Sequence, residues 1–133
     1  MRVGWRYFVR RDLRAALRAE IHAQFAAFRA TGLPLDHVNG HLHLHLHPTV
    51  LGILLADADA LGIRHLRLTR DPFWLNARLA GGRWGYRLTH AVLFGPLAAH
   101  ARVRVRRRAI RHTRWVFGLL QHARVDESFL LRL

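Results

Sequence analysis

His41-Leu42-His43-Leu44-His45-Leu46-His47-Pro48 alternates imidazole and leucine over seven residues and then stops at a proline, with His37 four residues upstream of the run. Strict alternation has the period of an extended strand, in which successive side chains point to opposite faces. The pattern predicts a strand with His41, His43, His45 and His47 on one face and Leu42, Leu44 and Leu46 on the other. Imidazole is the commonest protein metal ligand and the only side chain that titrates unperturbed near neutrality, so the histidine face is the candidate site for a metal ion or for acid–base chemistry. Same-face neighbours on a strand lie roughly 6.6 Å apart, so a single ion takes one or two of these rings rather than all four. The competing reading is an amphipathic strand whose solvent face merely consists of histidine. Four rings at period two, closed by a proline that ends strand pairing, favour the site.

Upstream, Leu13, Leu17, Ile21, Phe25 and Phe28 recur at three and four, the stripe of an amphipathic helix from Asp12 to about Ala30 that Thr31-Gly32 terminates. Leu33 to His41 follows Pro34 as a short strand that runs on into the histidines. Downstream, Pro48 suits a first helical turn, and Val50, Leu51, Ile53, Leu54, Leu55 and Leu61 make a strongly apolar, buried helix that ends at Gly62. Ile63 to Thr69 reads as a second strand stopped by Asp71-Pro72. Gly81, Gly82 and Gly85 mark a loop, Leu88 to Ala109 a helix interrupted or started near Pro96, Trp115 to Leu119 a third short strand, and Asp126 the cap of a last helix still incomplete at Leu133. Alternation of helix and strand gives the α/β class.

The 133 residues suffice for one small domain, and the 51% hydrophobic content excludes a disordered or fibrous chain. All 22 basic residues are arginine against 8 acids, a formal charge of +14. Arginine without lysine, beside abundant alanine and leucine, reads as a compositional bias rather than a phosphate-binding surface. The cluster Arg102 to Arg108 is the strongest sign of nucleic-acid or anionic-lipid binding. Its arginines spread around a helix with no interleaved aromatic residue, so no specific nucleic acid is expected. Trp74, Trp84 and Trp115 read as packing residues rather than sugar platforms. With no cysteine, any metal ligand is His, Asp or Glu. No secretory h-region and no apolar stretch of about 18 residues is visible, so no membrane span and a cytoplasmic location are expected.

The segment L-D-H-V-N-G-H-L-H-L-H-L-H-P-T-V, from Leu35 to Val50, resembles the mid-chain signature of the YdjC-type carbohydrate deacetylases, and within them the hopanoid-biosynthesis-associated branch HpnK. E-I-H-A-Q-F-A-A-F from Glu20, R-L-T-R-D-P from Arg67 and V-F-G-L-L-Q-H-A-R-V-D-E-S-F-L-L-R-L from Val116 extend the likeness over most of the chain, weakest between Phe73 and Ala109. The resemblance implies a partial, irregular (β/α) barrel of the polysaccharide-deacetylase type lacking its N-terminal and C-terminal strands, so that residues 1–133 form a single incomplete domain from the middle of a longer protein. It implies hydrolysis of the acetamido group of an amino sugar, with an amino-sugar or glycolipid substrate and, in this branch, a sugar-bearing hopanoid. It implies a divalent metal ion, Mg or Zn, held in the family by an aspartate of a D-D-F-G-like motif, a histidine on a later strand and the first histidine of the His-rich turn. Only the last has a counterpart here, His41; Asp12 and Asp36 stand in no such motif. His45 is a second metal-ligand candidate through the H-x-x-x-H spacing from His41, and His43, His45 and Arg67 line the site. Asn39-Gly40 stands where many relatives carry Asp-Ser. An incomplete barrel leaves strand edges unpaired, which predicts self-association. Two other functions compete: a His-rich transition-metal-binding module, and a basic nucleic-acid-binding protein.

Overall fold

The computed structural model describes residues 11–79, 84–121 and 126–132. Helix α1 (Arg11–Arg29) presents the expected stripe, with Ile21 buried and Leu17 and Phe25 packed against the core. It ends where glycine can adopt the left-handed conformation, at Gly32 with φ 74°. The following segment is extended, but its sheet contact is a single parallel bridge from Val38 to Leu66. Helix α2 (Pro48–Ala56) begins with Pro48 in its first turn and His47 as N-cap, the His47 ring accepting the Thr49 N–H. α3 (Ala58–Leu61) ends at Gly62, φ 72°.

Strand β1 (His65–Leu66) pairs in parallel with β2 (Arg111–His112), in register His65 with Arg111 and Leu66 with His112. Val38, β1 and β2 thus lie side by side in chain order. Parallel neighbours need a crossover, and the apolar helices α2 and α3 supply the first. The second crossover holds α4 (Phe73–Leu79) and the long α5 (Trp84–Arg107). The chain is therefore α/β and mostly helical, around a small parallel sheet. Leu51, Leu54 and Leu55 of α2 and Leu61 of α3 meet Ala101 and Val105 of α5, with Leu46, Ile63, Leu66 and Leu68 filling the centre. No helix among the described residues is long and apolar enough to cross a membrane.

The helix expected from Pro48 to Leu61 breaks at Asp57, whose φ of −102° and ψ of 12° lie outside the helical range. The break has a purpose in packing. Asp57 is buried, and its carboxylate accepts two hydrogen bonds from Arg18, at 2.7 and 2.6 Å, and lies 2.8 Å from Nε2 of His22. The Arg18 guanidinium first, and His22 second, hold the Asp57 carboxyl below its ordinary value. α1 is thereby pinned to the α2–α3 joint.

Other sequence expectations fail as well. No strand forms at Trp115–Leu119: only Val116 is buried there, its N–H donates to the Arg70 carbonyl at 2.9 Å, and the pairing strand is Arg111–His112 instead. α5 starts before Leu88 and runs through Pro96, while Asp71-Pro72 is followed at once by the unexpected α4. The largest correction concerns His41–Leu46, which is a 3-10 segment rather than a strand. Leu42 (φ 48°) and His43 (φ 60°) both take left-handed backbone, so the period-two division into faces does not exist. Leu42 is 74% exposed and Leu46 0%. Asp126, as expected, caps α6 (Glu127–Leu130), its Oδ1 accepting the Phe129 N–H at 2.8 Å.

The turn makes the three leucines inequivalent, which a strand would not. Leu46→Ala is expected to lower stability in urea unfolding by about 2–5 kcal/mol, and Leu42→Ala to change it by no more than about 0.5 kcal/mol. Equal losses would restore the strand.

Candidate functional site

The backbone of the turn dictates where each histidine goes. The His43 N–H donates to the Gly40 carbonyl at 3.0 Å and the His47 N–H to the Leu44 carbonyl at 2.9 Å, closing two tight turns in succession. Two non-glycine residues in left-handed backbone cost roughly 1–2 kcal/mol each. Burial of Leu46 and the bonds of His45 offset that cost. His45 is 2% exposed; its Nδ1 accepts the Gly40 N–H at 2.9 Å and its Nε2 donates to the Arg67 carbonyl at 2.6 Å. The two partners fix one neutral tautomer. Burial pushes the His45 pKa down, the bond to the Arg67 carbonyl opposing it and the charge of His43 adding to it.

With both nitrogens committed to backbone, His45 is a brace between the turn and β1, not an available metal ligand. Gly40 is what lets it approach. A Cβ on Gly40 would stand 2.9 Å from the His45 backbone nitrogen and 3.0 Å from its Nδ1. The Asn39-Gly40 pair thus has a steric reason in this chain.

His43 takes the next position. Its Nδ1 hydrogen-bonds the buried Thr69 hydroxyl at 3.0 Å, and its ring lies edge-on to Phe94 and to His45, with centroids 5.3 and 6.3 Å apart. Burial first, then the charges of Arg67 and His90, lowers the His43 pKa. Arg67 is half-buried, its guanidinium near enough to His43 and His45 to disfavour their protonation. His41, which opens the turn after the extended Gly40, is exposed. His47 caps α2, and His37 lies 2.8 Å from Asp36 with its ring 6.2 Å from that of His65. The run that reads as one imidazole edge is therefore dispersed into an exposed ring, a cleft-side ring, a buried brace and a helix cap.

Thr69 and Phe94, together with His90, also line a cleft of about 510 Å³ between α5 and the segments after β1 and around Leu119. His90 Nδ1 donates to the Tyr86 carbonyl at 2.9 Å, and its ring stacks on Tyr86 at 3.8 Å. Thr69, Phe94 and His90 escape sequence reading. His90 and His100, ten positions apart on α5, make no ligand spacing, and Thr69 gains meaning only when β1 brings it to His43. Among the described residues no three His, Asp or Glu side chains gather closely enough to hold a metal ion. The residues present therefore do not by themselves fit the divalent ion that the resemblance implies; His41 offers one exposed imidazole.

Comparison with known families bears on this directly. The family model of YdjC-like proteins matches residues 1–133. The chain belongs to the YdjC-like family. Among curated proteins, this YdjC-like chain is similar to a carbohydrate deacetylase of Brevibacillus brevis, 42% identical over 43 residues, which are 32% of this chain and 17% of that protein. The matched segment is thus a small part of the relative's length. No solved structure matches the chain significantly.

The geometry sets a pH dependence with a defined sign. The unfolded chain takes up a proton on residue 45 near the ordinary value of about 6.5, whereas the folded chain resists it. The contribution of His45 to stability is therefore complete above about pH 7 and falls as pH drops through the ordinary imidazole value toward the lower folded pKa. In His45→Gln, urea unfolding is expected to show lower stability at pH 7, by about 1–3 kcal/mol for the lost buried bonds, and a shallower decline between about pH 7 and 5. An unchanged slope would mean that His45 is not held neutral. Gly40→Ala is expected to cost about 1–3 kcal/mol by overpacking against the same ring, measurable in the same titration.

Proposed function

We propose that this YdjC-like chain forms part of the site of a metal-dependent carbohydrate N-deacetylase, which hydrolyses the acetamido group of an amino sugar. The observation that carries the reading is the turn itself. Costly left-handed backbone at Leu42 and His43 is maintained in order to present an exposed imidazole at His41 and a cleft-side imidazole at His43, both braced by His45 from below. The family membership and the local likeness to a carbohydrate deacetylase support it.

In this reading His41 is one metal ligand. His43, kept neutral by burial beside Arg67 and oriented by the Thr69 hydroxyl, lines the site and orients water or relays a proton. Arg67 lines the same side, and His45 serves as the positioning residue of the turn. The parallel sheet with helical crossovers is the kind of unit from which a (β/α) barrel is built, and we read the fold as a portion of such a barrel. Asn39-Gly40 before His41 supports the hopanoid-associated branch, with a glycosylated hopanoid as substrate and a cytoplasmic site of action.

A generic histidine cluster for transition metals is the weaker reading, because the four rings of the run have four different environments. The test compares His41→Ala with His47→Ala in the protein as its gene encodes it. Acetate release from N-acetylglucosamine oligomers, assayed with added Zn²⁺ or Mg²⁺, is expected to fall roughly 10–100-fold or more in His41→Ala and far less in His47→Ala. Equal losses in calorimetric metal titrations of the two variants would favour the generic cluster, and no acetate release under any divalent ion would overturn the deacetylase reading.

A further inference from the structure

The cleft beside His43 and His90 has a chemistry that amide hydrolysis does not use. Along α5, residues 90, 94, 98, 102 and 106 recur every fourth position, each a neighbour of the next along a row that winds slowly around the helix, and this row forms a wall of the cleft of about 510 Å³. At one end the wall is aromatic, with His90 and Phe94; in the middle it is small and apolar, with Ala98 and Ala99; at the other end Val103 stands between Arg102 and Arg106. From Phe94 to Arg102 the helix rises about 12 Å. Leu119 and Leu120 close the opposite side, and Arg70, whose guanidinium sits 4.3 Å from the centroid of the Trp115 ring, adds a third positive charge to the lining.

The three guanidiniums share the lining with one carboxylate, Asp71. None of the described ion pairs involves Arg70, Arg102 or Arg106. Asp71, the acid in the lining, has one carboxylate oxygen accepting the Leu120 N–H at 2.9 Å. Arg102 and Arg106 stand one turn apart on the same face, an arrangement of like charges that disfavours the isolated helix. Apolar walls next to such a pair focus its field into the cleft rather than into bulk water. Guanidinium forks match carboxylate and phosphate oxygens in pairs. The overall arginine excess of the chain predicts positive charge everywhere, but not an apolar wall that runs up to a pair of guanidiniums on one helix.

We infer that this cleft binds an amphipathic anion, its apolar body lying between Phe94, Val103 and Leu119 and its phosphate or carboxylate head held by Arg102 and Arg106. The cleft is the one His43 adjoins in the deacetylase reading, but the inference rests on its arginines and apolar wall rather than on that reading, and the two are tested by different assays. The probes are dodecyl phosphate and dodecanoate, titrated calorimetrically below their micellar concentrations, with dodecyl maltoside and inorganic phosphate supplying each half of the chemistry alone. Both alkyl anions are expected to bind at one site per chain, and the tighter of the two identifies the headgroup. Arg102→Ala combined with Arg106→Ala is expected to weaken the binding at least about 10-fold, whereas Arg78→Ala, an exposed arginine on α4 outside the cleft, changes it by less than about 2-fold. Val103→Glu, at a position 52% exposed and therefore tolerant of substitution, is expected to weaken it as well. Equal binding of dodecyl maltoside, binding of inorganic phosphate as tight as that of dodecyl phosphate, or an equal loss in Arg78→Ala would overturn the proposal.

Discussion

The His45 ring is fastened to the Gly40 N–H on one side and to the Arg67 carbonyl on the other, joining a turn to a strand more than twenty positions away through a single neutral tautomer. Much else is set by that joint. It requires a glycine at position 40, it locks the left-handed residues Leu42 and His43 in place, and it fixes the depth at which Leu46 enters the core. A buried imidazole with two backbone partners withstands burial because neither nitrogen is left unsatisfied. A protonated ring would present a donor to the Gly40 N–H, so the same bonds that hold the turn also hold the ring uncharged.

The sequence made the helical parts of the fold readable because their signals are local. The stripe of α1, the glycine stops at Gly32 and Gly62, Pro48 at a helix start and Asp126 as a cap all act within a turn or two of backbone, and each is found where its chemistry suggests. The approximate place of β1 was legible from Ile63 to Thr69, although only His65 and Leu66 form the ladder. The histidine run misled because alternation is evidence for a strand only when each face meets one environment. Here tertiary bonds to Thr69 and Arg67, which no local pattern encodes, pull successive histidines in different directions.

The candidate site was half legible for the same reason. The run drew attention to the turn and to the Asn39-Gly40 pair before His41, whose steric part the fold displays. The partition of roles among the histidines was not, since it depends on burial and on partners from β1 and α5. Asp57 behaves similarly: in sequence it is one polar residue within an apolar helix, and in the fold it is the acceptor for Arg18 and His22 from α1. Polar residues whose partners lie 20 to 40 positions away are the ones a pattern of hydrophobicity cannot interpret.

Val38, β1 and β2 lie side by side in the order in which they occur along the chain. Each new segment docks on the one made just before it, and none must be threaded between two others. During synthesis at the ribosome such a unit can accrete from one side, every crossover helix sealing the face of the strand it follows before the next strand emerges. The sheet is in effect an open-ended ratchet, extensible by one strand and one helix at a time without disturbing the pairs already formed.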